Sequence, residues 1–148
     1  MGILKMLVIH CTATREGREV TSGEIRRWHT APVSKGGRGW KQVGCADMIH
    51  LDGRVENLVP YNEDDTVDPW EITNGARGYN SVARHVVYVG GLTSDGSHCK
   101  DTRTPKQRKA LQQYVANFRK LHPLAKVVGH RDLDMSKSCP CFDVSREL

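Results

Sequence analysis

The sequence has few aromatic residues, no long apolar run and an odd number of cysteines. Aromatic side chains make up 6% of the 148 residues, and the basic stretches 35–41 and 100–109 lack the series of interleaved aromatics that stacks on nucleic-acid bases. No apolar run approaches the roughly 18 residues that a membrane helix requires. Nucleic acid therefore ranks last among the partners considered, and no membrane span is expected.

The cysteines and the N-terminus bear on the compartment in which the protein folds. Five cysteines are present without the spacing of a disulfide framework, at positions Cys11, Cys45, Cys99, Cys139 and Cys141. The first ten residues are apolar but lack a basic region followed by a small-residue cleavage site, so we expect no signal peptide. These features favour a reducing compartment, and a metal-binding or catalytic role for cysteine over a disulfide scaffold.

Positive charge is in excess, with a formal net charge of +5 and a pI near 9.1. A basic protein suits a polyanionic partner such as nucleic acid, a membrane surface or an anionic cell wall. A solubilising surface charge is the alternative explanation.

The apolar pattern predicts one α/β domain over residues 1–148, with a mixed central β-sheet flanked by helices. Thr21 with Glu24 has the spacing of a capping box, and Thr104 with Pro105 is typical of a helix start. The Asp52-Gly53 pair predicts a hairpin turn. Apolar segments that predict strands lie at residues 3–10, 45–51, 83–89 and 126–129.

Two histidines and a cysteine are the strongest candidates for chemistry. His10 and His130 each fall at the C-terminal end of a predicted strand, the edge at which open α/β sheets bind ligands. Cys139 follows in the next loop. Two imidazoles and a thiolate suit zinc and leave one coordination position for water, whose pKa the metal lowers. The sequence therefore predicts a Zn²⁺ site in a groove at the strand ends.

Alternatives to this ligand set lie in the same loop. Asp132, Asp134 and Asp143 offer oxygen ligands, and Cys141 is an alternative to Cys139. Lys137 is too basic to be a ready general base, so its expected role is to place positive charge near a developing oxyanion.

Several segments resemble zinc-dependent N-acetylmuramoyl-L-alanine amidases, of the superfamily that includes T7-type phage lysozyme and peptidoglycan recognition proteins. The resemblance covers nearly the whole chain in order. It rests on the runs at residues 8–14, 44–53, 78–80 with 89–91, 104–107, 129–132 and 137–140.

The resemblance implies a function and a set of residue roles. The implied reaction is hydrolysis of the amide between N-acetylmuramic acid and L-alanine in peptidoglycan. His10, His130 and Cys139 match the family's zinc ligands, and Lys137 matches its catalytic lysine. A monomeric lytic enzyme is expected, made in the cytoplasm and acting at the bacterial cell wall after phage-type release or export by a dedicated apparatus.

One position departs from the pattern of this family. Active members of the phage type carry a tyrosine after the glycine that matches Gly44, and here that residue is Cys45. A thiol is a weaker hydrogen-bond donor than a phenol, and its side chain is shorter. Three outcomes are open: Cys45 reduces activity, Asp47 on the same strand face acts as base instead, or Cys45 binds zinc and closes the site.

Three further residues are candidates for binding substrate. Trp40 beside the glycine-rich loop is expected to form a groove wall, Asn80 to hydrogen-bond substrate or hold a turn, and His85 to line the groove or pack in the core. Trp28 and Trp70 are weaker stacking candidates, and His29, His50, His98 and His122 are expected to be surface or packing residues.

Two functions from different classes follow from these residues. The leading one is a zinc amidase that degrades peptidoglycan. The alternative is a non-hydrolysing peptidoglycan-binding module on the same fold, which Cys45 favours and the retained Lys137 and Cys139 argue against.

Overall fold

A five-stranded mixed sheet forms the centre of the computed structural model, which describes residues 2–148. In chain order the strands are β1 (Gly2–Ile3), β2 (Met6–Cys11), β3 (Thr14–Arg15), β4 (Asp47–Ile49), β5 (Val55–Asn57), β6 (Thr66–Val67), β7 (Ala83–Tyr88), β8 (Gly91–Leu92) and β9 (Lys126–Gly129). The helices are α1 (Ser22–Thr30), α2 (Pro105–Leu121), α3 (His130–Leu133) and α4 (Val144–Glu147). Single 3₁₀ turns lie at Val33–Lys35, Pro69–Glu71 and Asn80–Val82.

The central sheet has the strand order β5-β4-β7-β2-β9. Strands β4, β7, β2 and β9 run parallel, and β5 pairs antiparallel with β4 through the predicted hairpin. Two small sheets, β1 with β6 and β3 with β8, lie outside it. The predicted α/β fold with a mixed central sheet is confirmed.

The N-terminal strand is interrupted, which corrects the single strand predicted over residues 3–10. Strand β1 pairs with β6, and Leu4 N–H donates to Asp65 O outside the central sheet, whereas the carbonyl of Lys5 already accepts from Lys126 N–H of β9. The regular register of β2 with β7 and β9 then begins at Met6.

The two faces of the central sheet carry separate apolar cores. Leu7 and Ile9 of β2 pack on one face with α2 and α4, through a cluster that includes Leu111, Phe118 and Val144. On the other face, a cluster containing Ile25 of α1 packs against Met48, Val87 and Val89. Because strand side chains alternate, His10 lies on the α1 face between two residues of the α2 face, Ile9 and Cys11.

Both main helices begin at the predicted residues. Thr21 and Glu24 form a complete capping box at α1, and Thr104 and Gln107 form one at α2. The side chain of Gln107 also donates hydrogen bonds to the carbonyls of Ile49 and Val89, which fixes the start of α2 against the sheet.

A disulfide joins Cys99 to Cys141, so the expectation of reduced cysteines without a disulfide is wrong for this pair. The two residues are 42 positions apart in sequence, and the spacing gives no sign of their proximity in the fold. Cys11, Cys45 and Cys139 are free thiols. Within residues 2–148, no helix combines the length and the apolar character needed to cross a membrane.

Candidate functional site

His10, His130 and Cys139 come together at the C-terminal edge of the central sheet. Strands β2 and β9 are parallel neighbours with Ile9 opposite Gly129, so the histidine that follows each of these residues reaches the same edge. Cys139 returns to this edge in the loop after α3. One potential ligand atom from each residue lies within 4.8 Å of the other two.

The three side chains fit a zinc ion. The Sγ atom of Cys139 lies 3.8 Å from Nδ1 of His10, close to the roughly 3.6 Å expected when nitrogen and sulfur bind one tetrahedral zinc. The backbone N–H of Cys11 donates to the Cys139 sulfur at 3.2 Å, which by itself lowers the pKa of this thiol, although the Cys11 thiol and burial raise that pKa overall. Three ligands leave a fourth position of a tetrahedral site for water.

The alternative ligands of the same loop have other partners. Cys141 is in the disulfide with Cys99, so it is not an alternative to Cys139. The three carboxylates accept local hydrogen bonds that hold turns, from Gly129 N–H to Asp132, from Ser136 to Asp134 and from Ser145 to Asp143.

A second histidine, His85, contacts the nitrogen of the His10 ring that faces away from Cys139. The Nε2 atom of His10 lies 2.8 Å from Nδ1 of His85, and Nε2 of His85 lies 3.0 Å from Oδ1 of Asn80. Burial and neighbouring imidazoles lower the pKa of His10, and burial lowers the pKa of His85 to about 3. Both rings are therefore neutral near pH 7.

His85 does not line the groove, so the prediction that it binds substrate is wrong in that form. Its side chain has 0% exposure, because it lies on the sheet beneath His10. Asn80 lies at the wall of a neighbouring cavity, but its amide oxygen already accepts from Ala76 N–H and from His85. The amide oxygen of Asn80 therefore holds the local turn, which was the alternative to a substrate contact.

A cavity of about 300 Å³ opens beside the three candidate ligands. The Lys137 side chain is exposed and stands at its rim, and burial together with the Lys137 charge lowers the pKa of His130. The other walls come from α1 and from the segments near residues 12, 40 and 75, and include Thr12, Ile25, Trp28, His29, Trp40, Cys45 and Gly75.

The cavity continues on both sides as an open groove. A space of about 440 Å³ shares Trp40, His130 and Lys137 with it and adds Arg77. A space of about 730 Å³ on the other side shares Trp28 and is bordered by Arg15 and Arg18. The cavity beside the candidate metal ligands thus adjoins two further spaces bordered by arginines, an arrangement that suits an extended substrate.

Trp40 lies on the groove wall, as expected, next to His29, for which a surface or packing role was expected. The ring centroids of Trp40 and His29 are 4.9 Å apart, and the Arg38 guanidinium lies 5.1 Å from the Trp40 ring. His29 also accepts a hydrogen bond from Gly44 N–H at 2.9 Å, and burial followed by the Arg38 charge lowers its pKa to about 4. Its position four residues after the buried Ile25 was the available signal that it faces inward.

Cys45 lies at the floor of the cavity. It is 2% exposed and packs with the apolar cluster below α1, and burial raises the pKa of its thiol, so it stays protonated. Cys45 is not among the candidate metal-ligand group found in residues 2–148. The alternative in which Cys45 closes the zinc site therefore has no support in the geometry.

Asp47 is on the opposite face of the sheet, so the alternative in which it replaces the tyrosine as base is wrong. Its carboxylate accepts hydrogen bonds from the hydroxyl of Tyr61 at 2.6 Å, from the hydroxyl of Tyr114 on α2 and from Nδ2 of Asn57 at 2.9 Å. These contacts place it under α2, away from the groove.

Comparison with known proteins agrees with this geometry. The model of the N-acetylmuramoyl-L-alanine amidase family matches residues 2–142. The endolysin of Enterobacteria phage K11 is 33% identical over 138 residues, which cover 93% of this chain and 81% of that protein. The endolysin of Escherichia phage T7 is 29% identical over 140 residues, covering 95% and 82%.

Solved structures share the fold. The Ph2119 endolysin from a Thermus scotoductus MAT2119 bacteriophage has a TM-score of 0.68 and 27% identity, covering 95% of this chain and 78% of that one. The N-acetylmuramoyl-L-alanine amidase LysC from Clostridium intestinale URNW has a TM-score of 0.71 at 20% identity, covering 99% and 82%.

Proposed function

Because this chain belongs to the N-acetylmuramoyl-L-alanine amidase family and is a peptidoglycan amidase, we propose that it cleaves its substrate at a zinc ion held by His10, His130 and Cys139. The observation that supports this most directly is the convergence of three ligand atoms within 4.8 Å at the wall of a cavity. The scissile bond is the amide between N-acetylmuramic acid and L-alanine.

Zinc in this position supplies a water of lowered pKa and a Lewis acid for the carbonyl oxygen. The residues of the chain stabilise the developing charge and bind the substrate. The ammonium group of Lys137 at the cavity rim stabilises the negative charge that develops on the carbonyl oxygen. The basic groove on either side holds the glycan and the stem peptide, with Trp40 as one wall.

The site has only an inefficient group for proton transfer at the position of the family's tyrosine. The protonated thiol of Cys45 occupies the cavity floor and is a poor donor and a poor base. The enzyme therefore acts more slowly than a homologue with a phenol at this position.

The relatives support a proposal for the partner and the place of action. The endolysins to which the chain is similar are phage proteins, and we extend that setting to this protein, which then acts on the bacterial cell wall. A monomeric state is part of the same proposal. The net charge of +5 favours association with an anionic wall.

The decisive experiment is hydrolysis of purified peptidoglycan with and without a zinc chelator. We expect release of stem peptides with a free N-terminal L-alanine, loss of release after chelation, and recovery when zinc is restored. Activity that persists in metal-free protein would contradict the proposal. Binding to the wall without release of peptides would instead support the non-hydrolysing module, for which the phenol-free site at Cys45 is the supporting feature.

A further inference from the structure

A chain of three side chains leads from the surface of the groove to the back of the candidate metal site. Asn80 is partly buried, His85 is completely buried, and His10 is 7% exposed. The links are 3.0 Å from Asn80 Oδ1 to His85 Nε2 and 2.8 Å from His85 Nδ1 to His10 Nε2. The first expectation for His85, a substrate contact, leaves this chain unexplained.

The direction of each hydrogen bond follows from Asn80, the residue of this chain that is farthest from the candidate metal site. The N–H of Ala76 donates to Oδ1 of Asn80 at 2.9 Å, which identifies that atom as the oxygen, and an amide oxygen can only accept. Nε2 of His85 must therefore carry its proton. A neutral His85 then has a bare Nδ1, which can only accept, so Nε2 of His10 must carry the proton of that ring.

At the metal end of this chain, Nδ1 of His10 therefore carries no proton and has a free lone pair. This atom faces the Cys139 sulfur at 3.8 Å, on the side where the three candidate ligands meet. Within residues 2–148, no carboxylate hydrogen-bonds to either ring, so nothing in the described structure favours the charged forms. We infer that His85, anchored by Asn80, is a positioning residue that sets the tautomer and orientation of His10, so that the Nδ1 lone pair points to the metal.

The backbone is arranged to make room for the His85 ring. A Cβ atom on Gly75 would lie 2.5 Å from Nδ1 of His85 and 2.7 Å from the carbonyl oxygen of Gly44. The first of these atoms is the one that accepts from His10. A glycine at position 75 therefore leaves the acceptor of His85 free, and any side chain there would displace the ring.

This inference rests on the proposed zinc site, and a mutational test measures zinc affinity by competition with a chromophoric chelator. His85→Leu removes the acceptor at similar size, and we expect affinity to fall about 10- to 100-fold, as for other partners behind metal ligands. His85→Asn places an acceptor near the position of Nδ1 and should recover most of the loss. Asn80→Ala removes the anchor and should weaken affinity without touching the core.

A matched control comes from another buried histidine. His50 is 2% exposed and bonds through both ring nitrogens to Glu19 and Glu56. His50→Leu should lower the unfolding temperature and leave zinc affinity unchanged. If His85→Leu is folded and binds zinc as tightly as the unaltered protein, or if His50→Leu weakens zinc as much as His85→Leu does, the inference is wrong.

A spectroscopic test separates this inference from the function proposed above. In the metal-free protein, ¹⁵N NMR of the imidazoles should find His10 protonated at Nε2, and His85→Leu should shift that ring towards the other tautomer. A protein that binds no zinc would overturn the proposed function, whereas the His10 tautomer would still decide the role of His85. Protonation of His10 at Nδ1 in the unaltered protein would refute that role.

Discussion

Cys45 and Asp47 lie on opposite faces of the central sheet, although only one residue separates them. Cys45 forms the floor of the groove cavity, and Asp47 accepts hydrogen bonds from Tyr61 and Tyr114 under α2. Residues two apart in a regular strand share a face. Here the carbonyl of Ala46 accepts from both Leu58 N–H and Val59 N–H, and regular pairing begins only at Asp47. The carboxylate of Asp47 is therefore unavailable for the missing tyrosine's role.

A phenol at position 45 should raise the rate of amide cleavage. The cavity of about 300 Å³ above Cys45 offers space for the ring, and a positioned proton donor or acceptor contributes of the order of 10²- to 10⁴-fold in enzymes. We expect Cys45→Tyr to raise kcat on purified peptidoglycan by about 10²-fold, the lower end of this range. Cys45→Phe fills the same space without a hydroxyl, and equal rates for the two variants would contradict this role.

Loss of the Lys137 charge should slow catalysis without loss of metal. An oxyanion-stabilising donor is typically worth about 10²- to 10³-fold in kcat, so Lys137→Ala should lose roughly that factor while Lys137→Arg keeps part of it. Zinc content measured by atomic spectroscopy should be unchanged. Lys120→Ala, on α2, serves as the charge-matched control. Loss of zinc from Lys137→Ala, or an unchanged kcat, would refute the assignment.

Metal removal should lower stability as well as activity. A ligand that binds only the folded state stabilises it by about 4 kcal/mol at a thousandfold excess over its Kd. Chelation should therefore lower the unfolding temperature of the native protein. Cys139→Ser, which replaces the thiolate ligand, should unfold at a temperature that zinc barely changes; a zinc-dependent shift as large as that of the native protein would exclude Cys139 as a ligand.

Reduction of the Cys99–Cys141 disulfide should destabilise the fold. Closing a chain segment of 42 residues restricts the unfolded state by about 4 kcal/mol in the chain-entropy model. Urea unfolding of Cys99→Ser should show a loss of this order. In the presence of a reductant, the native protein and the variant should converge, and a native protein that is insensitive to reductant would argue against the bond.

His29 should make the metal-free protein sensitive to mild acid. Its pKa in the fold is lowered to about 4, whereas an unfolded histidine titrates near 6.5. The unfolded chain then binds the proton more tightly, so stability falls as the pH drops from about 6.5 towards about 4. His29→Asn keeps an acceptor for Gly44 N–H without titrating.

Urea unfolding over this pH range should give a shallower dependence for His29→Asn than for the native protein. The exposed His98 provides the control, and His98→Asn should leave the dependence unchanged. Equal slopes for His29→Asn and the native protein would contradict the assignment, although His10 and His85 contribute in the same direction.

Short-range sequence patterns were enough to predict the main helices and strands. The capping box at Thr21, the helix start at Thr104, the Asp52-Gly53 turn and the strand at Lys126–Gly129 all depend on interactions within a few residues. The ends of β2 and β4 were predicted less well, because pairing partners from distant segments decide where a strand stops. The break before Met6 follows from the pairing of β1 with β6 and the bond of Leu4 N–H to Asp65 O.

The sequence by itself determined the two histidines of the candidate metal site and the edge of the sheet where it forms, whereas the choice of Cys139 over Cys141 needed the structure. His10 and His130 each follow an apolar strand, and parallel neighbouring strands bring their ends together. The tertiary structure decided which nearby groups take part. Contacts between residues distant in sequence pair Cys99 with Cys141, place His85 behind His10 and separate Cys45 from Asp47. No local sequence pattern encodes the geometry of these contacts.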